Sequence, residues 1–453
     1  MNIIIPVARC TLLLCVGQLL SACNSLPPEN SIAQVAQQLG ERYPKVELTG
    51  AAPTIANSTL TVESAVQIML AKSPQVRMEL AQLGIANAQQ LQAELISNPH
   101  LSLGALRPED GGRWKLDIGL SQPLLELFTR PLRRQIAQEN ILTVQLRLQA
   151  QLQKMVAQTG DAYYSAVAAQ QHLQIQRQML DATLARQQLA NSLYRAGNMS
   201  ENSFLYYDNE ARRVQQQAKK RERRAQEKQL ELLNIMGLES SQSISLPVHL
   251  PILPSETFTH AHLLTQARVD RLDLHITHQQ LDQLQKRRTF IRQENGWRDM
   301  SLGVNAEREF DGKTNVGPEI ELALPLFNRN QGKLAALDAQ SEKLTAQLKQ
   351  LDLDADIEIA QTLNQMQSAR EQLDLIQASL RVADKRVALS NREVNFMLGS
   401  PFELLNIKRQ QIQLAHEYTN ELANYWQART RLELAIGRAI NNPASEHEEH
   451  QHD

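Results

Sequence analysis

The chain repeats itself. Pro123 falls on Pro325, Leu132 on Leu334 and Gly197 on Gly399 when the second half is laid over the first at an offset of about 202. Each half reads as helix, two alternating strands, a very long helix, a tight turn and another helix. A duplication of this kind means that one structural solution must serve twice, so neither half can be read alone.

The strands are few and two-faced. Leu101, Leu103 and Ala105 alternate with His100, Ser102 and Gly104, and Trp114, Leu116, Ile118 and Leu120 alternate with Lys115, Asp117, Gly119 and Ser121. The second half offers Met300, Leu302, Val304 and Ala306 against Ser301, Gly303, Asn305 and Glu307. Val316, Ile320, Leu322 and Leu324 then oppose Gly317, Glu319, Glu321 and Ala323. Asp110-Gly111 and Asp311-Gly312 are the turn signals between them, so two hairpins are predicted, at about 99–122 and 298–325. Pro318 removes one ladder donor and is expected near the hairpin loop.

Helical periodicity accounts for most of what remains. A first helix is expected from Thr61, where Thr61 and Ser64 offer a capping box, to Asn98-Pro99. From Arg130 to Arg195 apolar residues recur every three or four positions, and a helix of roughly 65 residues would be about 100 Å long at about 1.5 Å per residue. Such a length implies coiled-coil-like packing. Ala196-Gly197-Asn198 and Leu398-Gly399-Ser400-Pro401 break the two long helices, and both glycines are expected at positive φ.

The N-terminus reads as an export signal. A short apolar run, Thr11 to Val16, precedes Leu20-Ser-Ala-Cys23, which resembles a bacterial lipobox with Cys23 as the lipidated residue. Asn24, in place of an aspartate, resembles the sorting context of outer-membrane lipoproteins. Cys10 and Cys15 would leave with the signal, so the mature chain has no disulfide and no thiolate metal cluster. The expected plan is a signal peptide over 1–22, a tether over 23–60, a first repeat over 61–240, a connector over 241–258, a second repeat over 259–440 and a polar tail over 441–453. A formal net charge of -2 gives no field suited to nucleic acid.

Four strands cannot close a barrel, and lipid satisfies no open sheet edge. Oligomerisation solves both problems, since three copies of four strands give about twelve, an even number in the known range for outer-membrane barrels. The polar faces, with Lys115, Asp117, Glu307, Glu319 and Glu321, would line a wet lumen, while Trp114, Leu116, Leu302 and Leu322 would face lipid.

With order, duplication, turns and lipobox together, the chain resembles the TolC family of outer-membrane efflux channels over residues 60 to 440. The stretch Gly317-Pro-Glu-Ile-Glu-Leu-Ala-Leu-Pro-Leu-Phe-Asn-Arg-Asn-Gln-Gly332 is most similar to the CzcC-like branch, which serves heavy-metal exporters of the RND class. The resemblance implies a homotrimer: a mainly α chain contributing to a twelve-stranded outer-membrane β-barrel continued by a periplasmic α-helical barrel. It also implies that the turns at Arg195, Gly197, Asn198, Gly399 and Ser400 dock a periplasmic adaptor leading to an inner-membrane RND pump. Family channels constrict just after the second turn with two acidic rings. Here Glu403 falls at the first position and Asn406 at the second, and the span from Gly399 to Leu405 is two residues shorter than from Gly197 to Leu205. Glu403 reads either as a gate carboxylate or as a helix-dipole carboxylate after Ser400-Pro401.

Three other readings stand beside this one. The His/Glu tail from His447 to Asp453 could hold zinc or copper weakly, though a polar tail is the simpler account. Drug efflux or type I secretion would use the same duct, whereas a non-conducting coiled-coil spacer would need no hairpins. Enzymatic motifs are absent from the sequence: there is no Gly-x-Ser-x-Gly, phosphate-binding glycine loop or His-Glu-x-x-His, so neither catalytic residues nor a cofactor are expected.

Overall fold

The computed structural model describes residues 29–440 apart from 45, 49–58, 110, 256, 295–299, 323 and 325. The signal segment, Cys23 and the tail over 441–453 lie outside the described residues. The helices are α1 (Glu29–Arg42), α2 (Val62–Lys72), α3 (Pro74–Glu94), α4 (Leu125–Arg195), α5 (Glu201–Ile235), α6 (His260–Asp270), α7 (Leu272–Glu294), α8 (Gln331–Asn395) and α9 (Pro401–Ile436). The strands are β1 (His100–Leu106), β2 (Lys115–Pro123), β3 (Ser301–Arg308) and β4 (Thr314–Glu321). Two compact units result. One holds Met1–Gln34, Gln82–Leu142 and Thr289–Asn330; the other holds Val35–Ala81, Thr143–Arg288 and Gln331–Asp453.

The first unit carries a single antiparallel sheet in the order β1-β2-β3-β4. Gly111 (φ 85°) and Gly312 (φ 92°) supply the positive φ that the hairpin turns need. Gln122 donates to the Ser97 carbonyl at 3.0 Å and the Leu124 amide to the Met300 carbonyl at 2.9 Å, tying the strand ends to the chain beside them. The last strand begins earlier and ends sooner than its alternation suggests. It stops at Glu321, so Leu322 and Leu324 lie beyond it.

The second unit is helical and shows the duplication in its packing. The predicted capping box is present: Thr61 Oγ1 accepts from the Ser64 amide at 3.1 Å and Ser64 Oγ from the Thr61 amide at 2.8 Å. Each repeat, however, opens with two helices where one is expected. Ser73 is extended ahead of Pro74, which cannot supply the next helical donor. Arg271 is extended with no proline to impose it, and its side chain turns inward to Asp273 (2.6 Å), Glu358 (2.6 Å) and the Ala435 carbonyl (3.2 Å).

A second constraint sits at both breaks. Gly237 (φ 71°) follows α5 and Gly437 (φ 81°) caps α9. A Cβ on Gly237 would come within 2.6 Å of Ser73 Cα, and one on Gly437 within 2.7 Å of the Asp270 carbonyl oxygen. Each repeat therefore ends by pressing a glycine against its own opening kink. The stretch over 23–60, expected as a tether, contains α1, which buries Val35 and Leu39 one turn apart. Arg42 at its end donates to the Gly437 carbonyl at 3.0 Å. The apolar spacing of Val35 and Leu39 and this capping contact fold a segment whose proline and serine content suggested extension.

Candidate functional site

Two regions carry the residues singled out by sequence, one in each unit. In the first unit the register puts Lys115, Asp117, Glu307, Glu319 and Glu321 on one face of the sheet. Lys115 pairs with Glu307 and, at 3.5 Å, with Glu309; Asn305 donates to Asp117 at 3.4 Å and Ser301 to Glu321 at 3.4 Å. Every strand also places a glycine on this face: Gly104, Gly119, Gly303 and Gly317. The opposite face is apolar and open. Leu103 is 72% exposed, Val316 68% and Ile320 65%, with Leu101, Ile118, Leu120 and Val304 beside them, and no described residue covers this face. A contiguous apolar surface of this kind marks an interaction site, here one suited to lipid or another chain.

The backbone of the sheet says more. The Glu309 amide donates to the Lys313 carbonyl at 2.9 Å, directly across the β3–β4 register. In an antiparallel pair bonded positions alternate with non-bonded ones, so Glu307–Asn315 and Gly303–Glu319 are bonded while Val304–Pro318 is not. The proline nitrogen therefore points to the outer edge of β4 and removes no bond from its own hairpin. It lies mid-strand, not at the loop as expected. The Leu124–Met300 bond fixes the pattern the same way in β2 and β3, leaving Leu101, Leu103 and Ala105 as the outward-bonding positions of β1. At both free edges, then, the residues that offer backbone groups are those whose side chains lie on the apolar face. An antiparallel addition of one copy's β1 to another's β4 would continue that face without a break.

In the second unit the two helix turns share one geometry. Gly197 takes φ 76°, its amide bonding the Tyr194 carbonyl at 3.0 Å and the Asn198 amide bonding Leu193 at 2.9 Å. Met397 takes φ 58°, with its amide on Val394 at 3.0 Å and the Leu398 amide on Glu393 at 2.8 Å. Ser200 and Ser400 then cap the following helices through their hydroxyls. The partner of Gly197 is thus Met397, and Gly399 is not at positive φ. The apparent two-residue shortening before Leu405 disappears, because Ser200 and Ser400, like Gly237 and Gly437, keep the spacing that separates Gly197 from Met397. Gly399 instead allows close approach to the preceding helix, where a Cβ would meet Glu393 Cβ at 3.0 Å.

This shared geometry holds unlike chemistry. Phe396, Met397 and Leu398 are 74%, 94% and 82% exposed, where the first turn presents Ala196, Gly197 and Asn198. Arg195, Arg392, Ser400 and Glu403 are also exposed, Glu403 in the first turn of α9. Asn406 is engaged, accepting from Arg409 at 2.9 Å.

Sequence reasoning missed what lies behind the turns. Glu210 of α5 pairs with Arg186 of α4 and, at 2.6 Å, with Arg409 of α9. Arg186 stacks on Tyr207, 5.2 Å from its centroid, and Tyr207 stacks on Phe402 at 5.0 Å. The cluster joins the first repeat's helices to the second's through residues far apart in the chain, and no local motif signals it. No group of three or more metal-ligating side chains is poised to hold an ion among the described residues, and none of the described helices is long and apolar enough to cross a membrane.

Comparison with known proteins agrees with this architecture. Residues 65–238 match the family described as outer membrane efflux protein. No curated protein matches the chain in sequence. Among solved structures, CusC, described in terms of folding and transmembrane channel formation, has a TM-score of 0.66 at 15% identity over 86% of this chain and 96% of its own. The outer membrane protein VceC from Vibrio cholerae gives 0.65 at 16%, covering 84% and 97%. The open state of the Neisseria gonorrhoeae MtrE outer membrane channel gives 0.65 at 14%, covering 87% and 97%. These likenesses show a shared fold, and the family match over residues 65–238 makes the first repeat similar in sequence to outer membrane efflux proteins.

Proposed function

We propose that three copies of this chain form a passive export duct in the outer membrane, acting with a periplasmic adaptor and an inner-membrane RND pump, and that its cargo is heavy-metal cations. The observation that carries the duct is the sheet: one face polar, the other apolar and uncovered, and two free edges whose bonding positions match in facing. A chain that only spaced the envelope would need no such sheet. In this reading Lys115, Asp117, Glu307, Glu319 and Glu321 line the lumen, and Cys23 carries the lipid anchor.

The helix turns at Arg195, Gly197, Asn198, Gly399 and Ser400 receive the adaptor, with the exposed Phe396-Met397-Leu398 knob supplying the apolar contact. Glu403, exposed beside that knob, is the gate carboxylate, one per protomer, and Asn406 contributes no second acidic ring because it is neutral and bonded to Arg409. The heavy-metal assignment rests on the stretch from Gly317 to Gly332 and is therefore tested separately. Purified protein in planar bilayers should conduct, and a deletion strain should become sensitive to zinc, cadmium, cobalt, copper or silver. Sensitivity to organic drugs alone would keep the duct and transfer its cargo to that class.

A further inference from the structure

The helices α4 and α9 run antiparallel along a seam that joins the first repeat to the second. Gln153 donates to the Gly437 carbonyl at 3.0 Å, Gln427 to Ser165 at 2.8 Å, and Tyr164 stacks on Trp426 at 5.4 Å. Further toward the turns lies the Arg186–Glu210–Arg409 cluster. Between these two stations the seam is held by two histidines. His172 of α4 and His416 of α9 stack at 5.1 Å and 24°, with their Nδ1 atoms 2.9 Å apart. His172 is buried, and His416 Nε2 is enclosed without a hydrogen-bond partner among the described residues.

We infer that the His172–His416 pair makes this inter-repeat seam acid-labile, so that α9, with the turn it carries, is released from α4 when the surroundings acidify. The contact requires one Nδ1–H facing one Nδ1 lone pair, which only a pair with at most one extra proton can provide. A first proton can go to an Nε2 and leave the contact intact, but it puts a cation in an enclosed site. A second puts N–H against N–H.

The surroundings oppose both steps. The charge acting on both rings is the Arg221 guanidinium of α5, a cation, which together with burial outweighs the hydrogen bond by which Asn420 of α9 favours a proton on His172. The nearby carboxylates are engaged elsewhere: Glu417 of α9 by Gln413 at 3.3 Å, and Glu222 of α5 by Lys219 at 2.8 Å and Arg177 at 3.9 Å.

Burial first, then Arg221, push His172 down to about 4; burial first, then His172 and Arg221, push His416 down to about 4. A base held below its ordinary 6.5 stabilises the closed seam fully above that pH, and the stabilisation is lost as pH falls toward about 4. At pH 5 linkage of this kind favours the separated seam by about tenfold or more. The consequence, an acid-opened duct, rests on the proposed function; the lability of the seam does not.

Hydrogen exchange of the full-length protein at pH 7.5 and pH 5, corrected for intrinsic rates, reads the seam directly. Peptides around His172 and His416 should exchange about tenfold faster in acid. The double variant His172→Phe, His416→Phe keeps stacked rings without titration and should lose that acceleration. An unaltered wild type, or an equal acceleration in the double variant, overturns the inference. Should the double variant fail to assemble, His416→Phe alone decides: one titrating ring remains where the wild type has two, so the acid acceleration must fall below that of the wild type, and an equal acceleration overturns the inference. Bilayer conductance measured alongside separates the two claims, since acid-labile exchange without conductance at any pH defeats the duct and leaves the seam.

Discussion

Met397 occupies a conformation that costs an L-residue roughly 1–2 kcal/mol, yet it is 94% exposed and gives up almost nothing in packing. Met397→Gly should therefore raise stability by up to about 1 kcal/mol, less the added freedom of the unfolded glycine. Thermal unfolding followed by circular dichroism checks it. Gly437→Ala should do the opposite, costing about 1–3 kcal/mol, because its Cβ would lie 2.7 Å from the Asp270 carbonyl oxygen at positive φ. Sequence revealed that both long helices must turn near these positions. It could not reveal which residue turns, since a glycine two positions further on in the second repeat was the more plausible candidate for positive φ, and only the amide-to-carbonyl pattern identifies Met397.

At the scale of elements, alternation located all four strands and their two faces, because a half-exposed sheet writes its period of two directly into the sequence. Strand ends were less legible. The apolar rhythm continues to Leu324, whereas pairing with β3 stops at Glu321 opposite Ser301. The faces support a paired test within one strand. Ile320→Arg places a charge on the apolar face and should cost about 2–4 kcal/mol if that face meets the lipid midplane, so folded assemblies should be lost from heat-modified gels. Glu319→Gln, one residue away on the polar face, should assemble normally. Equal mobility of the two variants would contradict the barrel. The helix breaks at Ser73 and Arg271 show a different limit. Pro74 marks the first, but the second arises from a glycine at the far end of the repeat and an inward arginine, neither of which a local window contains.

Across the whole molecule, the duplication was legible and decided the architecture, while the contacts that join the two copies were not. Glu210 holds arginines from α4 and α9, and the side chains of Arg186 and Glu210 are only 9% and 14% exposed. Glu210→Gln strands those charges and should destabilise the joint by about 3–5 kcal/mol. Faster hydrogen exchange confined to the turn-proximal parts of α4, α5 and α9, with the sheet unaffected, is the expected signature. The same scale gives Pro318 a second meaning. If three copies close a barrel as proposed, a lone protomer carries, until then, two strand edges that any extended chain could extend. On β4 the position at the middle of that edge has no donor to offer, which interrupts the row of amides on which runaway strand addition depends. In the proposed ring, the residue that forgoes one bond would thus protect the unfinished assembly from the wrong neighbours.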